Sequence, residues 1–155
     1  MYSKKLICDI LDYIDNNINK EITIEELANI FYFDKYYIMK LFKKELKITI
    51  INYINSIRIY NSLKDYKYDN QIMRIALNNG FNSLEYYSET FKTITKVSPR
   101  EYKHFINRSA NISLEKIITI RTSLSNLQFL KEQITSYKRN RPPEKTKIKT
   151  LSIFK

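Results

Sequence analysis

Glycine occurs once in the 155 residues, proline three times and cysteine once, and tryptophan is absent. So few turn-forming residues leave little room for sandwiches or barrels, which need many tight turns, and the class expected is all-α. Cys8 has no intrachain partner for a disulfide, which suits a reducing compartment. His104 is the only histidine, so no catalytic pair and no His-rich metal site can be assembled around it. No run approaches the roughly 20 apolar residues of a membrane span. Asp9, Asp12 and Asp15 interrupt any signal-peptide core behind Lys4 and Lys5, so the expected location is cytoplasmic, with no membrane partner. Acidic residues are scarce as well, with 16 Asp and Glu against 27 Lys and Arg.

What is abundant is apolar and helical in period. Hydrophobic residues make up 43% of the chain. The one glycine, Gly80, stands between Arg74-Ile-Ala-Leu-Asn-Asn and Phe-Asn-Ser-Leu-Glu-Tyr-Tyr-Ser-Glu-Thr-Phe-Lys92, two stretches with helical patterning. Glycine enters the left-handed region without steric cost, so it predicts a sharp turn there. Asn82 and Ser83 then offer capping side chains, with Glu85 three residues after Asn82 as a capping box requires. Short helix, turn and capped second helix form a helix-turn-helix pattern.

The pattern occurs twice. Leu27, Ala28 and Phe33 match Ile75, Ala76 and Phe81 at an offset of 48. Tyr37, Ile38, Phe42, Lys43, Lys47, Thr49 and Tyr53 match Tyr86, Tyr87, Phe91, Lys92, Lys96, Ser98 and Tyr102 at an offset of 49. A slip of one residue in the turn, with both helices in register, is the mark of a duplicated unit.

Around these units the periodicity predicts a helix over 4–18, with Leu6, Ile10, Ile14 and Ile18 on one face. Thr23 and Glu26 form a capping box for a helix of about eight residues. Asp34 caps the next helix, whose core stripe is Ile38, Leu41 and Phe42. A long helix from about Ile50 to Tyr66 bridges to the second unit, which occupies 70–94. Ser98-Pro99-Arg100-Glu101 opens a further helix with a cap, a proline at the first position and a box-closing glutamate.

This order of elements, and the segments FKKEL, ALNNGFNSLEYYSETFK and SPREYK, resemble the DNA-binding domain of the AraC/XylS family of bacterial transcription regulators over about residues 4–105. The resemblance implies seven helices, two helix-turn-helix units bridged by the long helix, and insertion of both units into successive major-groove segments. It also implies double-stranded DNA as partner and recruitment of RNA polymerase as the usual output, hence an activator. Family members usually carry glycine where Tyr32, Lys47 and Lys96 stand here, so the first turn is expected to be shifted or strained, at a cost of order 1 kcal/mol. The family also tends to place a basic residue where Glu89 stands, which weakens the case for the second unit as a reader. Because the reader begins near residue 4, no sensor domain of ordinary size is expected.

Helix geometry nominates the contact residues without the family. With Ile38, Leu41 and Phe42 in the core, Lys35, Tyr36, Met39, Lys40 and Lys43 point outward. Lysines suit phosphates and guanine, and Tyr36 or Met39 suits thymine methyl groups. The corresponding face of the second unit is Leu84, Glu85, Ser88, Glu89 and Lys92. Glutamate can accept from cytosine N4 but repels phosphate. The bland reading of either face is solvated helix surface. Cys8 lies on the apolar side of the first helix and reads as core. Most of the thirteen tyrosines fall at core spacing, and neither they nor the carboxylates surround a substrate pocket, so no enzyme, cofactor or metal is expected.

Charge divides the chain into residues 1–106, with net charge +3, and a basic extension over 107–155, with net charge +8. Within the extension, Lys116–Arg121 and Lys147–Ile153 alternate weakly, as strands do, whereas Leu124, Leu127, Leu130, Ile134 and Tyr137 are spaced as in a helix. Three roles stay open for this segment. It could begin a second module, form a packing or dimerising helix, or track DNA through Lys138, Arg139, Arg141, Lys145, Lys147 and Lys149. Two functions from different classes also remain, a sequence-specific regulator and a protein-interaction or non-specific nucleic-acid module that keeps the fold.

Overall fold

The computed structural model describes residues 2–107 and 112–143. Eight α-helices are present among them and no strand. In chain order they are α1 (Tyr2–Asn16), α2 (Ile24–Phe31), α3 (Lys35–Leu46), α4 (Ile50–Ser62), α5 (Ile72–Asn78), α6 (Leu84–Thr95), α7 (Pro99–Ile106) and α8 (Leu114–Arg139). A 3-10 turn over Leu63–Lys67 follows α4. The bridging helix is therefore shorter than its apolar stripe suggests. Ser62 turns its hydroxyl onto the Ile59 carbonyl at 2.7 Å, and Tyr66 enters the core from the tighter turn.

Local chemistry sets most helix starts. Thr23 and Ser98 each accept from the backbone N–H three residues on, and Glu26 and Glu101 reach back to complete two capping boxes. Asp34 accepts from the N–H groups of Tyr36 and Tyr37. The cap of α6 is Ser83 alone, which accepts from Tyr86, so the capping box expected from Asn82 and Glu85 does not form. The reason is the slip between the two units. Tyr32 and Gly80 both take left-handed φ, at 59° and 86°, but one residue separates Tyr32 from its cap Asp34 and two separate Gly80 from Ser83. Asn82 is the added residue, so Glu85 falls one position short of the third helical residue.

The three positions expected to depart from glycine do hold glycine's conformation: Tyr32, Lys47 and Lys96 end α2, α3 and α6 with φ of 59°, 60° and 68°. At each, the cap N–H bonds back to a helix carbonyl, as a left-handed cap allows. Gly80 has a second constraint. A Cβ there would lie 2.8 Å from the Ile18 carbonyl oxygen and 2.9 Å from Arg58 Nε.

Two apolar clusters form, one for each unit. The first gathers Ile7, Ile10, Leu11 and Ile14 of α1 with Leu27, Ile38, Phe42 and Tyr53. Cys8 is fully buried on the same helix. The second gathers Ile59, Tyr66, Ile75, Phe81, Tyr87, Phe91 and Tyr102. Two of its buried phenols satisfy each other, with the Tyr87 hydroxyl 2.7 Å from that of Tyr66 and 3.0 Å from that of Ser62, and burial pushes the Tyr87 pKa up to about 12. Core spacing holds for part of the thirteen tyrosines, with Tyr13, Tyr60 and Tyr137 half-buried against the two clusters. Tyr53, Tyr66, Tyr87 and Tyr102 are buried, while Tyr2, Tyr32, Tyr36, Tyr37, Tyr68 and Tyr86 are exposed.

The extension corrects another expectation. Residues 116–121 are the start of α8, a 26-residue helix capped by Ser113, and not a strand. The segment expected as a strand over 147–153 lies outside the described residues. The helical stripe is covered within the molecule. Ile134, Leu130 and Tyr137 join the first cluster, and Ile120, Leu127 and Leu124 the second.

Candidate nucleic-acid interface

The second helix of each unit, α3 and α6, is anchored by its apolar stripe and presents the opposite face to solvent. Ile38, Leu41 and Phe42 are buried beneath α3, and Tyr87, Thr90 and Phe91 beneath α6. On α3 the nominated residues Tyr36, Met39, Lys40 and Lys43 are exposed. Lys35 is half-buried. Its ammonium lies 3.3 Å from Glu25 and 5.3 Å from the centre of the Tyr36 ring, and the Glu25 hydrogen bond raises its pKa. It is thus partly committed to α2. Lys40 and Lys43 have no ion pair with a described residue, so their charge is available to a ligand.

On α6 Leu84, Glu85, Glu89 and Lys92 are exposed and Ser88 is half-buried. The equivalence between the units is close in backbone and opposite in chemistry. At the 49-residue offset Leu84 replaces Lys35, and Glu89 replaces Lys40. The carboxylates of Glu85 and Glu89 repel a phosphate backbone, and only Lys92 on this face attracts one.

Several residues beside these faces escaped the sequence reading. Tyr32, 93% exposed, stands at the left-handed turn before α3. Ile51, Asn52 and Asn55 of α4 line a groove with Tyr86, Glu89 and Thr93 of α6, and Asn55 donates to the Tyr86 hydroxyl at 2.7 Å. The signal for Asn55 was available, since it falls off the Tyr53, Ile54, Ile57 stripe of α4. Tyr86 was harder to find, because its match to Tyr37 is equally consistent with core. His104 is exposed on α7.

Basic residues of the extension point elsewhere. Lys138 lies 2.7 Å from Asp12 and 2.8 Å from Asp15, and Arg141 pairs with Asp12. Burial would raise the Asp12 pKa, but hydrogen bonds and charge from Lys138 and Arg141 outweigh it and hold the carboxyl below its usual value. Of the six cations expected to track a backbone, these two are occupied by α1 and Arg139 is exposed. Lys145, Lys147 and Lys149 lie outside the described residues.

Two capped, duplicated helix-turn-helix units on one bridging helix make up this surface, and residues 27–104 match the family model described as a helix-turn-helix domain. The chain belongs to the AraC/XylS family. The helix-turn-helix-type transcriptional regulator YbfP of Bacillus subtilis is 29% identical over 70% of this chain and 37% of its own length. The TetD protein of transposon Tn10 from Escherichia coli is 30% identical over 63% of this chain and 72% of its own. Among solved structures, the C-terminal domain of AraT, a response regulator from Geobacillus stearothermophilus, superposes with a TM-score of 0.61 at 25% identity, covering 70% of this chain and 88% of that one. The chain thus spans little more than a third of the Bacillus relative. AraC/XylS membership is membership in a family of DNA-binding proteins rather than enzymes. Among the described residues no helix is long and apolar enough to cross a membrane.

Proposed function

We propose that this protein is a sequence-specific transcription regulator that reads double-stranded DNA chiefly through α3. In this reading residues 1–106 are the DNA-binding unit, residues 107–155 are an extension of it, and the protein works in the cytoplasm. The observation that carries it is the exposed face of α3, where Lys40 and Lys43 have no ion-pair partner among the described residues and stand beside Tyr36 and Met39. Lys40 donates to guanine, Lys43 meets phosphate, and Tyr36 and Met39 pack on thymine methyls. Lys35 contributes once DNA competes with Glu25. The second helix, α6, enters the next major-groove segment with Leu84, Glu85, Ser88, Glu89 and Lys92, and contributes less. Membership of the AraC/XylS family supports activation through contact with RNA polymerase.

The other reading, a protein-interaction or non-specific nucleic-acid module, is favoured by one observation, the two exposed carboxylates on α6, which have no ion pair among the described residues. Selection of duplexes from a random library, followed by competition with random DNA, separates the two. A regulator prefers its selected duplex by about 10³-fold or more. Equal competition by random duplex would overturn sequence-specific reading.

A further inference from the structure

The helix α8 lies outside the residues matched to the family, 27–104, yet it is built into both units. Its 26 residues span about 39 Å at 1.5 Å per residue. One half buries Ile120 and Leu127 in the second cluster, and the other buries Ile134 in the first. Each end is also tied by charge. Near the N-terminus, Lys116 lies 2.6 Å from Glu101 of α7. Near the C-terminus, Lys138 bridges Asp12 and Asp15 of α1, and the Tyr137 hydroxyl donates to Glu45 of α3 at 3.0 Å. Midway, the Tyr60 hydroxyl of α4 donates to Gln128 at 2.6 Å, with the Lys131 ammonium 4.3 Å from the centre of the Tyr60 ring. A helix held at both ends and in the middle behaves as a stiff rod across the joint between the units.

We propose that α8 is a positioning element that fixes the distance and angle between α3 and α6, and so sets a strict spacing between the two segments of DNA they read. This rests on the reading of α3 and α6 as the DNA-contacting helices. Without α8 the units remain joined by α4, by the Asn55–Tyr86 hydrogen bond and by Arg58. The Arg58 guanidinium donates to the Ile18 and Lys20 carbonyls at 2.8 and 2.6 Å and lies 5.9 Å from the Phe81 ring. Those ties sit close to the α4 axis, so they resist bending with a short lever arm. The ties of α8 reach the far helices, α1 and α7, where a small movement opens a large angle. One base pair added between the two DNA segments displaces them by about 3.4 Å and rotates them by about 34°. A rigid pair of units cannot follow that change.

The test uses the full chain and the duplex it selects from a random library, together with derivatives carrying one base pair inserted or removed between the two segments. Asn126, exposed at the middle of α8, is changed to proline. Proline removes an intrahelical hydrogen bond and kinks the rod while leaving the ties at both ends, and Asn126→Ala serves as the helical control. For the unmodified chain and Asn126→Ala, the added base pair should weaken binding about 30-fold or more, as the loss of one or two base contacts does. Asn126→Pro should lower that penalty to about 5-fold or less and keep affinity for the original duplex within about 3-fold.

Spin labels on Lys44→Cys and Thr93→Cys, both exposed while Cys8 is buried, report the distance between units without DNA. The width of that distribution should about double in Asn126→Pro. If the proline variant fails to fold, Lys116→Ala combined with Lys138→Ala removes the lysine ties at both ends of α8 for the same measurements and should lower the spacing penalty, and Lys138→Arg in place of Lys138→Ala should restore part of it. A folded variant with an unchanged width and an unchanged penalty overturns the positioning role. A library that enriches no duplex overturns the DNA reading, and the spacing rule with it. An unchanged penalty on an enriched duplex overturns the spacing rule alone.

Discussion

The two helix-turn-helix units share a backbone and differ in almost every surface residue that faces outward. Thr49 and Ser98 cap the following helices, Lys47 and Lys96 take left-handed φ, and Phe42 and Phe91 lie buried at the same depth. Where α3 shows Lys35 and Lys40, α6 shows Leu84 and Glu89. Duplication thus preserved what packing demands and released what solvent tolerates. Each unit needs the same internal volumes to bury its stripe, whereas an exposed position is constrained only by a ligand. The difference between the outward faces therefore reports on function more directly than the likeness of the cores does.

The largest effect should separate the two turns. Gly80→Val puts a branched Cβ into left-handed φ and within 2.8 Å of the Ile18 carbonyl oxygen. Strain and overlap together should cost more than about 2 kcal/mol in urea unfolding. Tyr32 holds the same conformation at 93% exposure, so Tyr32→Gly should be neutral or stabilising by up to about 1 kcal/mol. Similar losses from both would mean that the turns are not equivalent in strain.

Next come the reading faces. Lys40→Ala should weaken binding to the selected duplex by about 1–3 kcal/mol and relax preference at one base position. Glu89→Ala, at the equivalent position on α6, should leave affinity unchanged or raise it. Titration at fixed salt checks both, and equal losses would remove the asymmetry.

Smaller effects should appear at the ends of α8, one on each unit. Lys138 is largely covered and bridges two carboxylates, so Lys138→Ala should cost about 0.5–1 kcal/mol of stability. Because that charge faces α1 and not the α3 surface, the slope of log affinity against log salt should not change. Lys43→Ala should do the reverse, lowering the slope by about 0.9 with little loss of stability. A slope change for Lys138→Ala would put that lysine on DNA.

At the other end, the Lys116 hydrogen bond and the Ser98 backbone N–H hold Glu101 down at about 2, below its ordinary 4.5. A carboxyl depressed on folding contributes stability that is present above pH 4.5 and is lost as pH falls toward 2. Glu101→Gln should therefore flatten the acid side of the stability profile in that window, by a few tenths of a kcal/mol given its exposure. A profile identical to that of the unmodified chain would show that the tie contributes nothing.

Much of the fold was legible because helix ends are written in local chemistry. Capping boxes at Thr23 and Ser98, the cap at Asp34 and the turn at Gly80 depend on residues a few positions apart, and each formed where expected. The run Lys116-Ile-Ile-Thr-Ile-Arg121 shows where such reading stops. Its β-branched residues suit a strand, but Ser113 caps it as a helix and only Ile120 is fully buried, against the second cluster. Propensity over six residues is weaker than burial against a surface that already exists.

The candidate site divides along the same line. The outward face of α3 could be read from one stripe and its complement, since a helix has a fixed period. That Lys35 is shared with Glu25, that Asn55 meets Tyr86, and that Lys138 and Arg141 turn to α1 could not be read, because each joins separate elements. By itself the sequence determined the two units, their caps and their contrasting faces, all of which follow from interactions within one turn or one helical period. Only the tertiary structure decided that α8 lies across both units and neutralises an acidic face of α1. Pairings over more than a hundred residues, such as Lys138 with Asp15, depend on where packing brings surfaces together, and no local spacing encodes that.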